Sequence, residues 1–196
     1  MKQYIVDAFT NKPFSGNPAA VCVMEKWPSE EFMKNLAMEN NLSETAYIVK
    51  EEQGYHLRWF TPGSEVNLCG HATLASSFVI LNYVEPESDS AAFHALSGKL
   101  TVKRKANLYE MNFPMYEQKE IPVTDDPVCG SAHCQIADYW SKELGKTKIH
   151  AYQASKRGGH LYCEILGNGR IAISGEAALV AVSEVTAYGI YDQRLF

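Results

Sequence analysis

Apolar and polar positions along this chain alternate with a period of two over most of its length and take a helical period in three stretches. Strands are predicted at residues 4–9, 19–24, 45–50 and 55–60, with a polar loop at 51–54 joining the last two. Residues 12–18 form a loop punctuated by proline and glycine. Ser29 stands before Glu30 and Glu31, a cap followed by acids that suit the first turn of a helix. The apolar stripe of that helix is Phe32, Leu36 and Met38, and Asn40-Asn41 ends it. Thr61-Pro62-Gly63 is a turn. A second helix starts at Gly70 and runs to Leu81, and its residues leave so little polar surface that it should be buried. Strands follow at 91–96, 99–104 and 108–113. Beyond a crossover at 114–124, a third helix spans 131–144 with Gly145 to close it. Four more strands are predicted at 148–153, 160–166, 170–174 and 178–188.

The second and third helices open alike. Asp125-Asp126-Pro127-Val128-Cys129-Gly130-Ser131-Ala132-His133-Cys134 leads into one, and Asn67-Leu68-Cys69-Gly70-His71-Ala72-Thr73 into the other. Both read Cys-Gly-X-Ala and then turn apolar. A helix start offers unpaired N–H groups and the positive end of a dipole, which suits a carboxylate. Two such starts in one chain predict two related lobes facing one small ligand.

Composition narrows the function class. An apolar fraction of 46% is ordinary for a globular protein. A net charge of −5 with no long run of either sign makes no case for nucleic acid. No stretch is long and apolar enough to span a membrane, and Asp7 stands where a signal peptide needs an apolar run. A cytoplasmic protein with no membrane partner is expected. Five cysteines without a secretion signal point to free thiols. Cys129, His133 and Cys134 fit no standard zinc spacing, so no metal is expected and Cys134 reads as a small apolar residue. Nothing matches a P-loop or a dinucleotide fingerprint.

The two motif stretches resemble signatures of the phenazine-biosynthesis PhzF-like family, which shares the two-lobed fold of diaminopimelate epimerase. Pro13-Phe14-Ser15-Gly16-Asn17-Pro18-Ala19-Ala20-Val21, Asn41-Leu42-Ser43-Glu44-Thr45-Ala46-Tyr47 and Arg58-Trp59-Phe60-Thr61-Pro62 agree with it, and Arg157-Gly158-Gly159 resembles a further signature. The resemblance implies an α+β fold of two pseudo-symmetric lobes, each a curved, mostly antiparallel sheet or barrel around a central helix. The lobes are expected at 1–115 and 116–196. One departure stands out: Ile121-Pro122-Val123-Thr124 passes straight into Asp125-Asp126, where the family has several strands and a helix. The second lobe is therefore expected to be incomplete, and a homodimer is expected to cover what that exposes.

By the same resemblance Glu44 is the general acid/base, with Asp126 a second acid and His71 a polar partner. Gly70, Gly130 and Ser131 are expected to bind a substrate carboxylate through backbone N–H groups, and Asn17 to line the cleft. Read on their residues alone, Glu44 is a solvated or capping acid, His71 a buried histidine, and Asp126 a turn residue before Pro127. Cys69 and Cys129 occupy the places where related two-thiol racemases and epimerases carry their proton-transfer cysteines, and a helix N-terminus favours the reactive thiolate. The implied activity is a cofactor-independent isomerase acting on a small carboxylate-bearing metabolite. The thiol pair is the alternative, and an inactive binding module is the third reading.

Overall fold

The computed structural model describes residues 1–115 and 128–187. Most of the expected crossover at 114–124, and the end of the last expected strand, lie outside the described residues.

Strands β1 (Lys2–Ala8) and β2 (Asn17–Met24) pair antiparallel. Helix α1 (Glu30–Asn40) then carries the chain to β3 (Glu44–Glu51), which lies parallel to β2. Ser29 caps α1 by accepting from the Phe32 N–H, and Asn41 ends it in the left-handed conformation. β4 (Gly54–Phe60) returns antiparallel to β3, and a two-residue strand, β5 (Glu65–Val66), adds to its side. β5 is too short to leave a periodic trace in the sequence. Helix α2 (Gly70–Val79) runs into a π-helical turn, Ile80–Val84, before β6 (Ser90–Ala95), β7 (Gly98–Lys105) and β8 (Leu108–Pro114). Helix α3 (Gly130–Leu144) ends at Gly145 in the left-handed conformation. It is followed by β9 (Lys148–Gln153), β10 (Gly159–Gly167), β11 (Arg170–Gly175) and β12 (Ala177–Glu184).

Among the described residues all twelve strands join one sheet, in the order β12-β1-β2-β3-β4-β6-β7-β8-β11-β10-β9, with β5 beside β4. The pairs β2/β3 and β4/β6 are parallel, and the others are antiparallel. Helix α2 packs against β12, β1, β2 and β3 and also against β8. In a flat sheet β12 and β8 would stand about 33 Å apart, at roughly 4.8 Å per strand. Both touch one helix, so the sheet must curl around it. This explains why α2 is buried on nearly every side, with Phe78 its one partly exposed residue. Helix α3 lies against β9, β10 and β11. The expected α+β fold, a curved sheet around central helices, is thus observed.

The stripe of α1 differs from the expected one. Met33 and Ala37 pack with Cys22, Met24, Tyr47, Val49 and Phe60, with Leu36 against them; Phe32 is buried, while Met38 is half exposed. Met33 and Ala37 are one helical turn apart and share a face. Met38 is rotated a further 100° or so, out to solvent.

Candidate active site

Several elements begin at one place. Because β2 and β3 are parallel, their first residues, Asn17 and Glu44, sit at the same end of the sheet. Helix α2 starts there at Gly70, and α3 starts against it. A Cβ placed on Gly70 would lie 3.0 Å from the Gly130 Cα, and one placed on Gly130 would lie 3.2 Å from the Gly70 Cα. The two helix starts therefore touch backbone to backbone, which only glycine permits at this spacing. The expectation that the repeated Cys-Gly-X-Ala turns face each other is met in the geometry.

His71, in the first turn of α2, is buried, and its Nε2 lies 2.9 Å from Glu44 Oε2. Oε2 is enclosed yet has no aligned donor among the described residues, because the approach lies off the imidazole N–H direction. On the other side of the ring, His71 Nδ1 is 3.0 Å from Asn17 Nδ2 and 3.5 Å from Cys69 Sγ. Asn17 Nδ2 also donates to the Val128 carbonyl at 2.9 Å, and Ser43 Oγ donates to Asn17 Oδ1 at 3.4 Å. The Glu44 side chain keeps 16% of its surface open, so one end of this buried polar row reaches solvent.

The second helix start is arranged differently. The Cys129 Sγ accepts from the Ala132 N–H at 3.4 Å and lies 3.4 Å from Ser131 Oγ, so the thiol caps its own helix. The Cys129 N–H donates to Gln153 Oε1 at 2.9 Å. His133 Nδ1 donates to the Cys129 carbonyl at 2.7 Å, and burial pushes the His133 pKa down against the raising effect of that bond. Cys134 is fully buried and its thiol is pushed up to about 12 by desolvation, as is that of Cys163, so both behave as apolar residues. Asp126 lies outside the described residues.

A wedge and a clamp hold the two helix starts in register. Phe9 has a left-handed backbone (φ 64°), is fully buried, and presents its ring to Gly130 and Gly175. Its carbonyl accepts from His160, and its N–H donates to Glu176. Arg157 donates to the Gly16 carbonyl at 2.8 Å and the Ser15 carbonyl at 3.0 Å, and pairs with Asp7 Oδ1 at 2.7 Å. It thereby fixes the loop that delivers Asn17. Burial raises the Asp7 pKa, outweighing the lowering by the Phe14 N–H and by Arg157.

The structure brings Glu44, His71, Asn17, Gly70, Cys69, Gly130 and the Cys129–Ser131 turn to one locus. Sequence reasoning missed the Val128 carbonyl, Ser43, Gln153 and the Asp7–Arg157 pair. Ser43 and Arg157 stand inside stretches already singled out, but Gln153 reaches Cys129 from 24 residues away and leaves no local signal. The donor atoms of Glu44, Cys69 and His71 all lie within 4.8 Å of one another, a grouping the sequence reading did not bring together. Among the described residues no helix is long and apolar enough to cross a membrane.

Comparison with known proteins agrees with this geometry. The family model described as phenazine biosynthesis-like protein matches residues 6–125 and 118–183. An uncharacterised isomerase of Pseudomonas aeruginosa is 34% identical, covering 89% of this chain and 94% of its own length. That alignment runs over 245 positions, more than the 196 residues here, so the relative holds residues with no counterpart in this chain. The two family matches overlap at 118–125, where the sequence pattern places the shortfall in the second lobe. A crystal structure of a PhzF-family phenazine biosynthesis protein from Enterococcus faecalis is 37% identical with a TM-score of 0.87, covering 94% of this chain and 98% of that one. A structure described as a predicted epimerase from Pseudomonas aeruginosa shares the fold with a TM-score of 0.80 at 15% identity, covering 94% and 99%.

Proposed function

The chain belongs to the phenazine biosynthesis-like family, and on that premise we propose that it is an isomerase moving a proton on carbon of a small carboxylate-bearing metabolite, with Glu44 as the general acid/base. The observation that carries this reading is the placement of Glu44. Its carboxylate is largely enclosed, opens to solvent at one end, and sits against His71 at a helix start. A carboxylate there can break a C–H bond by taking the proton, leaving the electron pair to delocalise toward the substrate carboxylate, and then return the proton to carbon. The facing starts of α2 and α3, at Gly70, Gly130 and Ser131, supply N–H groups and dipole ends for that negative charge. Asp126 is proposed as the second acid. Residues 1–115 and 116–196 are proposed as the two lobes, meeting at these helix starts. The reaction calls for no metal, nucleotide or flavin.

One observation favours a second reading. Cys69 and Cys129 are the cap residues of the two facing helices, the placement a two-thiol racemase or epimerase would use. Deuterium uptake from solvent into candidate carboxylates separates the two. Glu44→Gln keeps the shape and removes the acid/base group, so exchange is expected to fall by about 10²-fold or more, with Cys69→Ser and Cys129→Ser retaining most of it. Full exchange in Glu44→Gln together with its loss in the serine variants would move the assignment to the thiols. No exchange with any substrate would leave a binding module.

A further inference from the structure

We infer that Asn17 is a positioning residue that fixes the tautomer of His71 and ties it to the docking of the second lobe. The inference rests on the acid/base reading of Glu44, although its test does not.

The argument starts from what each atom can do. The Val128 carbonyl can only accept, so the Asn17 side-chain atom 2.9 Å from it must be the NH2 nitrogen. The opposite placement would set two oxygens against each other. Ser43 Oγ, which can donate, lies on the remaining side at Oδ1, as this assignment requires. The NH2 group has two hydrogens and no lone pair to offer. One hydrogen goes to Val128, and the other points to His71 Nδ1 at 3.0 Å. Nδ1 must therefore accept and carries no proton. A neutral ring then holds its proton on Nε2, the atom 2.9 Å from Glu44. In this state the Nε2 proton lies beside the Glu44 carboxylate, off the line to Oε2, and Nδ1, engaged by Asn17, offers no free lone pair to a cation, although Glu44, Cys69 and His71 are close enough to surround one.

The second half of the inference concerns where the orienting group comes from. Val128 lies two residues before α3, 111 residues away from Asn17 in sequence. Its side chain packs on Gly159, where an added Cβ would meet Val128 Cγ2 at 2.4 Å. Arg157 of the same loop holds Gly16, next to Asn17. The orientation of the Asn17 amide thus depends on the seating of the α3 start and the 157–159 loop. Displacing Val128 removes one of the acceptors that orient the amide and loosens the constraint on His71. The proton on Nε2 is then a consequence of lobe docking, and the site is armed when the lobes are together.

Nitrogen-15 NMR of histidine-labelled protein tests this directly. The chain has six histidines, and the His71 signals are identified by their loss in His71→Gln. Wild type is expected to show His71 with an unprotonated Nδ1 and a protonated Nε2. His133, whose Nδ1 donates to a carbonyl, should show the opposite tautomer in the same spectrum and serves as an internal reference. Asn17→Asp puts an acceptor against Nδ1 and should move a proton onto it. Gly159→Ala, which leaves Asn17, His71 and Glu44 intact but crowds Val128, should broaden or mix the His71 tautomers. A protonated Nδ1 on His71 in wild type overturns the inference, as does an unchanged His71 pattern in both variants. If the tautomer behaves as expected while deuterium exchange proves independent of Glu44, the proposed function falls and this inference stands.

Discussion

At the scale of single residues, a buried histidine outside the proton-transfer row gives this protein an acid-side weakness. His133 is almost fully enclosed beneath α3 and donates from Nδ1 to the Cys129 carbonyl. Burial holds its pKa below the ordinary 6.5. Above that value both folded and unfolded chains carry a neutral ring, and the contribution is fully present. As pH falls below it, the unfolded chain takes up a proton that folded His133 refuses, and stability drains until pH passes the folded value. His133→Asn can still donate to the same carbonyl and does not titrate. Denaturant unfolding at pH 7, 6 and 5 should show wild type losing stability relative to the variant, by at most about 1.4 kcal/mol per pH unit for one proton. Parallel curves would remove His133 from the account. Such roles were unequally legible from the chain alone. The Asn-Leu-Ser-Glu-Thr-Ala stretch marked Glu44, and Cys-Gly-His marked His71, yet nothing in either says that they lie 2.9 Å apart. The orienting partner of Asn17 is a backbone carbonyl, which has no side-chain identity and so leaves no letter to read.

At the scale of elements, the two helix starts test each other. An alanine at Gly70 would meet three backbone atoms, the Gly130 Cα at 3.0 Å, the Gly130 carbonyl carbon at 3.2 Å and the Ser131 nitrogen at 3.3 Å. Backbone cannot swing aside as a long side chain can, so α2 and α3 must separate. Overpacking of this kind costs roughly 1–3 kcal/mol, which outweighs the gain of about 0.5–1 kcal/mol from replacing glycine by alanine in a helix. Gly63→Ala, with only Thr61 Oγ1 at 3.8 Å, is the control and should be close to neutral. Thermal melts in which Gly70→Ala and Gly63→Ala match would mean that the helices do not meet as described. The pairing was legible because the motif repeats in the sequence. The strands were legible too, since β9 matches its expected bounds and the others shift by a residue or two, except β12, which ends at Glu184 where the pattern had run on to 188. The π-helical turn after α2 and the two-residue β5 were not, because the first continues an apolar helical run and the second is too short to show a period. The misassigned Met38 shows the limit of counting apolar letters on a short helix that carries more of them than one face can use.

At the scale of the molecule, the shortfall before α3 has a visible consequence. Ile136, Tyr139, Trp140 and Leu144 recur at helical spacing on one face of α3, and they remain 42%, 46%, 47% and 53% exposed. The adjoining face, with His133, Cys134 and Ala137, packs on the sheet. A curated relative carries residues that this chain lacks, and the two family matches overlap just before this helix. We therefore propose a second copy of the chain as the cover for this face, with its own α3 stripe as the complement. Magnitude decides what form that takes. Four half-exposed side chains offer roughly 300–400 Å², against about 800 Å² per partner in a stable interface. Self-association through α3 alone should be weak and concentration-dependent, unless the outer edge of β12 pairs as well. Sedimentation velocity across a concentration series is expected to show a rising average mass for wild type. Trp140→Lys should abolish the rise with the far-ultraviolet spectrum unchanged, because that side chain is half exposed. A wild-type chain that stays monomeric across the series, and binds no apolar dye, would show that the face is at rest in water.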